Sequence, residues 1–177
     1  MSLSTEKTTE QEKHRSSGFQ EDLELLRKSA LFHRLDTDCL KLLAMLCKRV
    51  DLVEGDHLMM QGEDDGHAYI IISGRLSAIF TRENESQKIR QYFPGDLVGG
   101  CALLGRMPRI FTLEVVEKTT ALRLKRDDFQ KVMHQFPTNI SLLVSSLIAE
   151  LAEWDRILLE RLESGDNPAR ALGVSLL

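Results

Sequence analysis

Residues Pro94 to Thr112 read PGDLVGGCALLGRMPRIFT. Turn residues Pro94, Gly95 and Asp96 lead through Leu97 and Val98 into the pair Gly99-Gly100. Cys101 to Leu104 are small or apolar, and Gly105-Arg106-Met107-Pro108-Arg109 precedes a run of β-formers. Glycines ahead of a short helical turn can present backbone N–H groups to an anion. An arginine a few residues further on can close on a phosphate with its planar fork. Spacing alone equally describes a tight turn with a solvated arginine, so the flanking sequence has to decide.

Upstream, turn signals recur at Glu54-Gly55-Asp56, Gly62-Glu63-Asp64, Ser73-Gly74-Arg75, Glu83-Asn84 and Pro94-Gly95-Asp96. That rhythm predicts short antiparallel strands in a barrel or sandwich. Ala68 to Ile72 is expected to be a buried strand, with Leu76, Ala78 and Phe80 alternating along the next. Before the strands, Phe19, Leu23 and Leu26 fall at helical spacing over 19–29. Leu31-Phe32-His33-Arg34-Leu35 forms an apolar pivot. Asp36 is placed to cap a second helix whose buried face is Leu40, Leu43, Ala44 and Cys47. Met1 to Gly18 is polar and aperiodic, so a disordered leader is expected.

Downstream, Phe111, Leu113 and Val115 alternate, as do Ala121, Leu122 and Leu124 with their polar neighbours. Arg126 to Gln135 reads as a short helix with Phe129, Val132 and Met133 inward. Pro137 opens a long last helix. Its residues Ile140, Val144, Leu147, Leu151, Trp154 and Leu158 follow 4-3-4-3-4 spacing, close to a coiled-coil seam, and predict a homodimer. The signal Gly165-Asp166-Asn167-Pro168 should stop this helix, leaving 166–177 as a tail. The expected organisation is thus a leader (1–18), a β-roll with N-terminal helices (19–136), a signalling and dimerisation helix (137–165) and the tail.

Together these features resemble the cyclic nucleotide-binding domain family, of the catabolite-activator and cAMP-dependent-kinase regulatory-subunit type. The likeness runs from about Leu31 to Leu162. In that family a cassette of pattern FGE-x-A-L-x-x-x-x-PR-x-A-T holds a cyclic phosphate and its ribose. Gly99, Ala102, Leu103, Pro108, Arg109 and Thr112 match the pattern, while Val98, Gly100 and Phe111 replace its Phe, Glu and Ala. Gly55, Gly62, Gly74 and Gly95 stand where the family's structural glycines stand.

The resemblance implies a mainly β fold: an antiparallel β-roll, or double-stranded jelly roll, with N-terminal helices and a long C-terminal helix. It implies that Gly99, Gly100, Cys101 and Ala102 offer amides to a phosphate gripped by Arg109, with Val98 and Ile110 beside them. Arg109 is then expected to matter more to ligand than to folding. Trp154 falls where bacterial relatives meet the purine, so it is either a stacking ring or a dimer-seam or core aromatic. The family's glutamate accepts from the ribose 2′-hydroxyl, which Gly100 cannot do. The unmatched hydroxyl costs about 1–3 kcal/mol, one to two decades of affinity. Phe111 either fills the pocket or turns into the core.

The expected ligand is cyclic AMP or cyclic GMP, bound weakly, with no cofactor. Two other readings stay open: a degenerate scaffold that binds no nucleotide, and the sensor half of a Crp/Fnr-type transcription factor. The chain resembles a stand-alone bacterial member without a helix-turn-helix, so DNA binding by this chain alone is not expected.

Length and composition fit one globular domain with a proper core, plus a tail. The 177 residues carry a net charge of −4, which does not favour a nucleic-acid surface. Three scattered cysteines (Cys39, Cys47, Cys101) make neither a disulfide framework nor a zinc site and fit a reducing cytoplasm. The five histidines show no metal-ligating spacing, and no nucleophile elbow, Walker sequence or membrane-length apolar run occurs. No enzymatic activity is expected.

Overall fold

The computed structural model describes residues 17–83 and 85–163, without the side chains of residues 154, 155 and 157–163. Helix α1 spans 17–28, two residues earlier than the sequence pattern predicts. Leu23 and Leu26 are buried, and the pivot follows with Leu31, Phe32 and Leu35 inside. Helix α2 (Thr37–Leu46) buries Cys39, Leu40, Leu43 and Ala44. Asp36 occupies its N-cap position, but its carboxylate makes no cap bond. Instead Asn139 donates to Asp36 Oδ2 at 2.9 Å, and Asn139 Oδ1 accepts from the Asp36 backbone N–H at 2.8 Å.

Six strands follow: β1 (Lys48–Leu52), β2 (His57–Met59), β3 (His67–Arg82), β4 (Glu85–Tyr92), β5 (Leu97–Val98) and β6 (Thr112–Lys125). They form one antiparallel sheet in the order β1-β6-β3-β4, with β2 also on β6 and β5 also on β3. Ser73-Gly74-Arg75 does not separate two strands. The chain runs straight through as β3, and the turn signal becomes a series of register shifts against β6. Gly74 has φ +90°, and a methyl there would overlap Thr119 Oγ1 and the Lys118 carbonyl and lie 2.7 Å from Thr119 Cα. Such a bulge bends the sheet, and only glycine fits this one.

Period-two alternation divides the core in two. Ala68, Ile70, Leu122 and Leu124 face the helices and join Leu26, Phe32, Leu43, Phe129 and Leu143. Tyr69, Ile71, Ala121, Val98, Leu113 and Phe111 fill the inside of the roll. Phe111 is fully buried there, its ring 6.1 Å from Tyr92 and stacked on it. It is therefore an inner-core residue.

Helix α3 (Arg126–Gln135) buries Phe129, Val132 and Met133, as its spacing predicts. Pro137 precedes the last helix, α4 (Thr138–Glu163). The expected stop at Gly165–Pro168 lies outside the described residues. Leu143 is buried and the half-buried Leu147 packs partly against the helical core, so Leu147 turns toward its own domain. The exposed apolar stripe of α4 is Ile140, Val144, Ile148 and Leu151. The side chains of Trp154 and Leu158 lie outside the described residues.

All three cysteines are free. Burial pushes the Cys39 thiol up to about 11 and the Cys47 thiol up to about 12, so neither is a reactive thiolate at neutral pH.

Candidate functional site

Between β5 and β6 the chain makes a single 3-10 turn, Gly100–Leu103, with Gly99 as its left-handed N-cap at φ +75°. Val98 is fully buried and pairs with Tyr69. Gly100 and Ala102 are buried, and Cys101 is half-buried, its thiol raised by burial. The Ala102 amide is already committed, donating to the Gly99 carbonyl at 3.1 Å. The predicted row of four free amides is therefore shorter by one. Ile110 is exposed, and no side chain of Trp154 is described.

Arg109 returns to this turn and is 3 % exposed. A methyl on Gly99 would overlap Arg109 Nη1, sit 2.9 Å from the His67 carbonyl and 3.0 Å from Arg109 Cζ. The glycine is what lets the guanidinium come this close to the turn. Arg109 Nη2 donates to Asp65 Oδ1 and to the His67 carbonyl. The arginine is therefore not solvated: it pairs with an acid inside the protein.

The loop that carries Asp65 is stitched to the cassette along its length. Gly62 N–H donates to the Arg109 carbonyl and Arg109 N–H donates to the Glu63 carbonyl, both at 2.8 Å. His67 N–H donates to Asp65 Oδ1 at 3.0 Å. The neighbouring Asp64 takes Arg126, at the start of α3, and Arg126 Nε also donates to the Ala102 carbonyl. The Arg126 guanidinium holds the Asp64 carboxyl below its ordinary value. A polar cleft of about 320 Å³ opens here, lined by Asp64, Asp65, Gly66, His67, Lys125, Arg126 and Asp127.

A glycine turn closed by a buried arginine, on a β-roll flanked by helices, is the arrangement the cassette pattern implies. The profile described as "Cyclic nucleotide-binding domain" matches residues 49–136. This chain carries a cyclic nucleotide-binding domain. Domains of this family are regulatory. The cyclic nucleotide-binding-like protein of Brucella abortus is 26 % identical, with a TM-score of 0.60 over 64 % of this chain and 98 % of that one. The Thermus thermophilus catabolite activator protein is also 26 % identical, with a TM-score of 0.62 over 76 % of this chain and 62 % of that one. The regulatory domain of Toxoplasma gondii PKA, solved with cAMP, is 28 % identical with a TM-score of 0.61, over 64 % and 44 %. Among curated proteins, the rice potassium channel KAT1 is 20 % identical over 127 residues, which is 72 % of this chain and 18 % of the channel. Human patatin-like phospholipase domain-containing protein 6 is 28 % identical over 52 % of this chain and 7 % of that protein.

The domain thus brings Val98, Gly99, Gly100, Cys101, Ala102 and Arg109 together. Sequence reading missed Asp64, Asp65, His67 and Arg126. Asp64 read only as a turn residue and Asp65 carried no signal, and nothing in a linear pattern tells which arginine, 62 or 44 positions later, each acid will take. No helix among the described residues is long and apolar enough to cross a membrane. Among the same residues no group of three or more His, Cys, Asp or Glu is placed to hold a metal ion.

Proposed function

We propose that the domain is a regulatory sensor that binds a cyclic nucleotide or a related anionic ligand weakly at Gly99, Gly100, Cys101 and Arg109, and signals through α4. The supporting observation is the buried guanidinium of Arg109 laid against Gly99. A charge-assisted, forked donor in a water-poor pocket is strong recognition chemistry for a phosphate. The 19–136 segment is the ligand module on this reading, and 137–165 is the output arm. The arm is reached physically through Arg126, which joins the Ala102 carbonyl to α3, and through Leu103, Phe129 and Leu143 in one core. The test is a calorimetric titration of the full chain with cyclic AMP and cyclic GMP. Heat at micromolar to millimolar ligand is expected, and silence for both overturns the reading.

Weak binding follows from Gly100, which has no carboxylate for a ribose hydroxyl. Gly100→Glu should tighten cyclic nucleotide affinity by about one to two decades. An unchanged affinity in the same titration argues for the scaffold reading, in which the Asp65–Arg109 pair is purely structural.

We also propose that the protein is a homodimer through α4. Ile140, Val144, Ile148 and Leu151 form an exposed stripe, with Ile148 61 % exposed, and a second copy can cover it as a helical seam. Because Leu147 turns toward its own domain, the informative change is Val144→Glu with Ile148→Glu. Light scattering at tens of micromolar should show dimers for the wild type and monomers for this variant. A monomeric wild type sinks the proposal.

A further inference from the structure

One transverse row of the sheet connects the cassette to a cation that has no partner among the described residues. Val98 pairs with Tyr69, Tyr69 with Arg123, and Arg123 with Lys48. Tyr69, Ala121 and Val98 belong to the inner cluster of the roll, while Leu122 and Leu124 face the helices. By alternation Arg123 lies on the inner face with Tyr69. Its side chain is half-buried, its Nε is fully buried, and it has no hydrogen bond or ion pair with any described residue.

Half-burying a guanidinium without a partner is costly. Placing Lys48 directly opposite adds like-charge repulsion. The other two arginines at this end are each matched to an acid, Arg109 to Asp65 and Arg126 to Asp64. Arg123 is not, and the cross-strand pair His67 and Lys125 lies one step along the same face. Burial holds the His67 imidazole below its ordinary value; Asp65 pulls it up, while Arg123, Lys125 and Arg109 push it down. Around His67, three cations thus act against the one acid Asp65.

We propose that Arg123 is a second anion-binding group of the cassette site, and that the site prefers a ligand with two phosphate groups to one with a single cyclic phosphate. Strands lie about 4.8 Å apart, so Arg123 starts about 10 Å from Val98 and Gly99, and its long side chain covers much of that gap. A phosphate at Gly99 and Arg109 then leaves a second phosphate on the same molecule within reach of Arg123. The inference rests on the assignment of Gly99 and Arg109 as an anion site, and names the class of anion.

The test compares adenosine 3′,5′-bisphosphate, pyrophosphate, inorganic phosphate and cyclic AMP as ligands of the full chain at constant ionic strength. Affinity is read by calorimetry and by thermal shift. The wild type should bind the bisphosphate about tenfold more tightly than cyclic AMP, the scale of one charged hydrogen-bonding partner. Arg123→Gln should lose that preference and leave cyclic AMP affinity unchanged, while Arg123→Lys keeps part of it. Pyrophosphate exceeding phosphate by a similar factor places the two groups side by side. Preference for the bisphosphate alone places them apart, on the sugar. Without ligand, Arg123→Gln should melt no lower than wild type, because an unpaired charge is removed; a structural role would lower it. Equal binding of bisphosphate and cyclic AMP by the wild type, or a preference that survives Arg123→Gln, overturns this proposal alone. A wild type that binds none of the four overturns the Arg109 assignment and this one with it.

Discussion

Arg109→Ala should lose all anion-dependent stabilisation and, without any ligand, cost about 3–5 kcal/mol of folding free energy. The second half departs from the expectation that Arg109 serves ligand more than fold, because its guanidinium is buried where it pairs with Asp65. Its side chain is 1 % exposed and that of Asp65 21 %. Removing the guanidinium strands the Asp65 carboxylate and takes a donor from the His67 carbonyl. Asp65→Asn in the same background should recover much of the loss, because it removes the orphaned charge, and the double-mutant cycle isolates the coupling. Urea melts of the four proteins supply the cycle. Arg109→Lys separates charge from geometry. It keeps a cation beside Asp65 and gives up the planar fork, so it should recover stability better than ligand response. An Arg109→Ala protein as stable as wild type, and stabilised by phosphate or cyclic nucleotides just as strongly, removes Arg109 from both roles.

Gly74→Ala should destabilise the domain by about 2–5 kcal/mol, combining the left-handed backbone cost of a residue with Cβ and the overpacking that follows. The methyl meets the backbone of Lys118 and Thr119, which belongs to β6 and cannot step aside without breaking the β3–β6 ladder. For a chain of this size the loss corresponds to a fall in melting temperature of roughly 5–20 °C. Gly55→Ala is the control. It has a similar positive φ of +88° but open space around it, so it should pay only the backbone part. Equal melting temperatures for Gly74→Ala and Gly55→Ala in a calorimetric scan would show that the contact with β6 relaxes freely.

The contrast between these two glycines shows what the chain discloses when read as a line. Short-range features were legible: period-two alternation, helical spacing, and the turn residues that mark β2, β5 and the cassette. The Ser73-Gly74-Arg75 signal misled because a bulge and a turn ask for the same residue, and only the partner strand distinguishes them. Heptad spacing put Leu147 in the predicted stripe without saying which side the rest of the domain occupies. At the candidate site, the approach of Arg109 to Gly99 was expected from the family resemblance, because spacing alone fitted a tight turn equally well. Asp65 and Arg126 were not, because ion pairs across the fold have no period. Arg123 sits between two apolar residues of a strand, where a long polar side chain reads as an outward residue. Its inward placement follows only from knowing which face of β6 the helices cover.

The Asn139 amide that engages Asp36, in place of a cap bond from Asp36 to α2, has a mechanical consequence. Asn139 is fully buried and holds Asp36 through both a donated and an accepted bond, in the first turn of α4. Sliding the helix along its axis breaks both bonds, whereas swivelling about that point can keep them. If α4 is the output arm, as proposed, the amide would serve as its fulcrum and the helix as the lever. Its 26 residues extend about 39 Å at 1.5 Å per residue, so a swivel of about 10° carries the far end through about 7 Å. Displacements too small to disturb the packing around the fulcrum become steps longer than a helical turn at the tip.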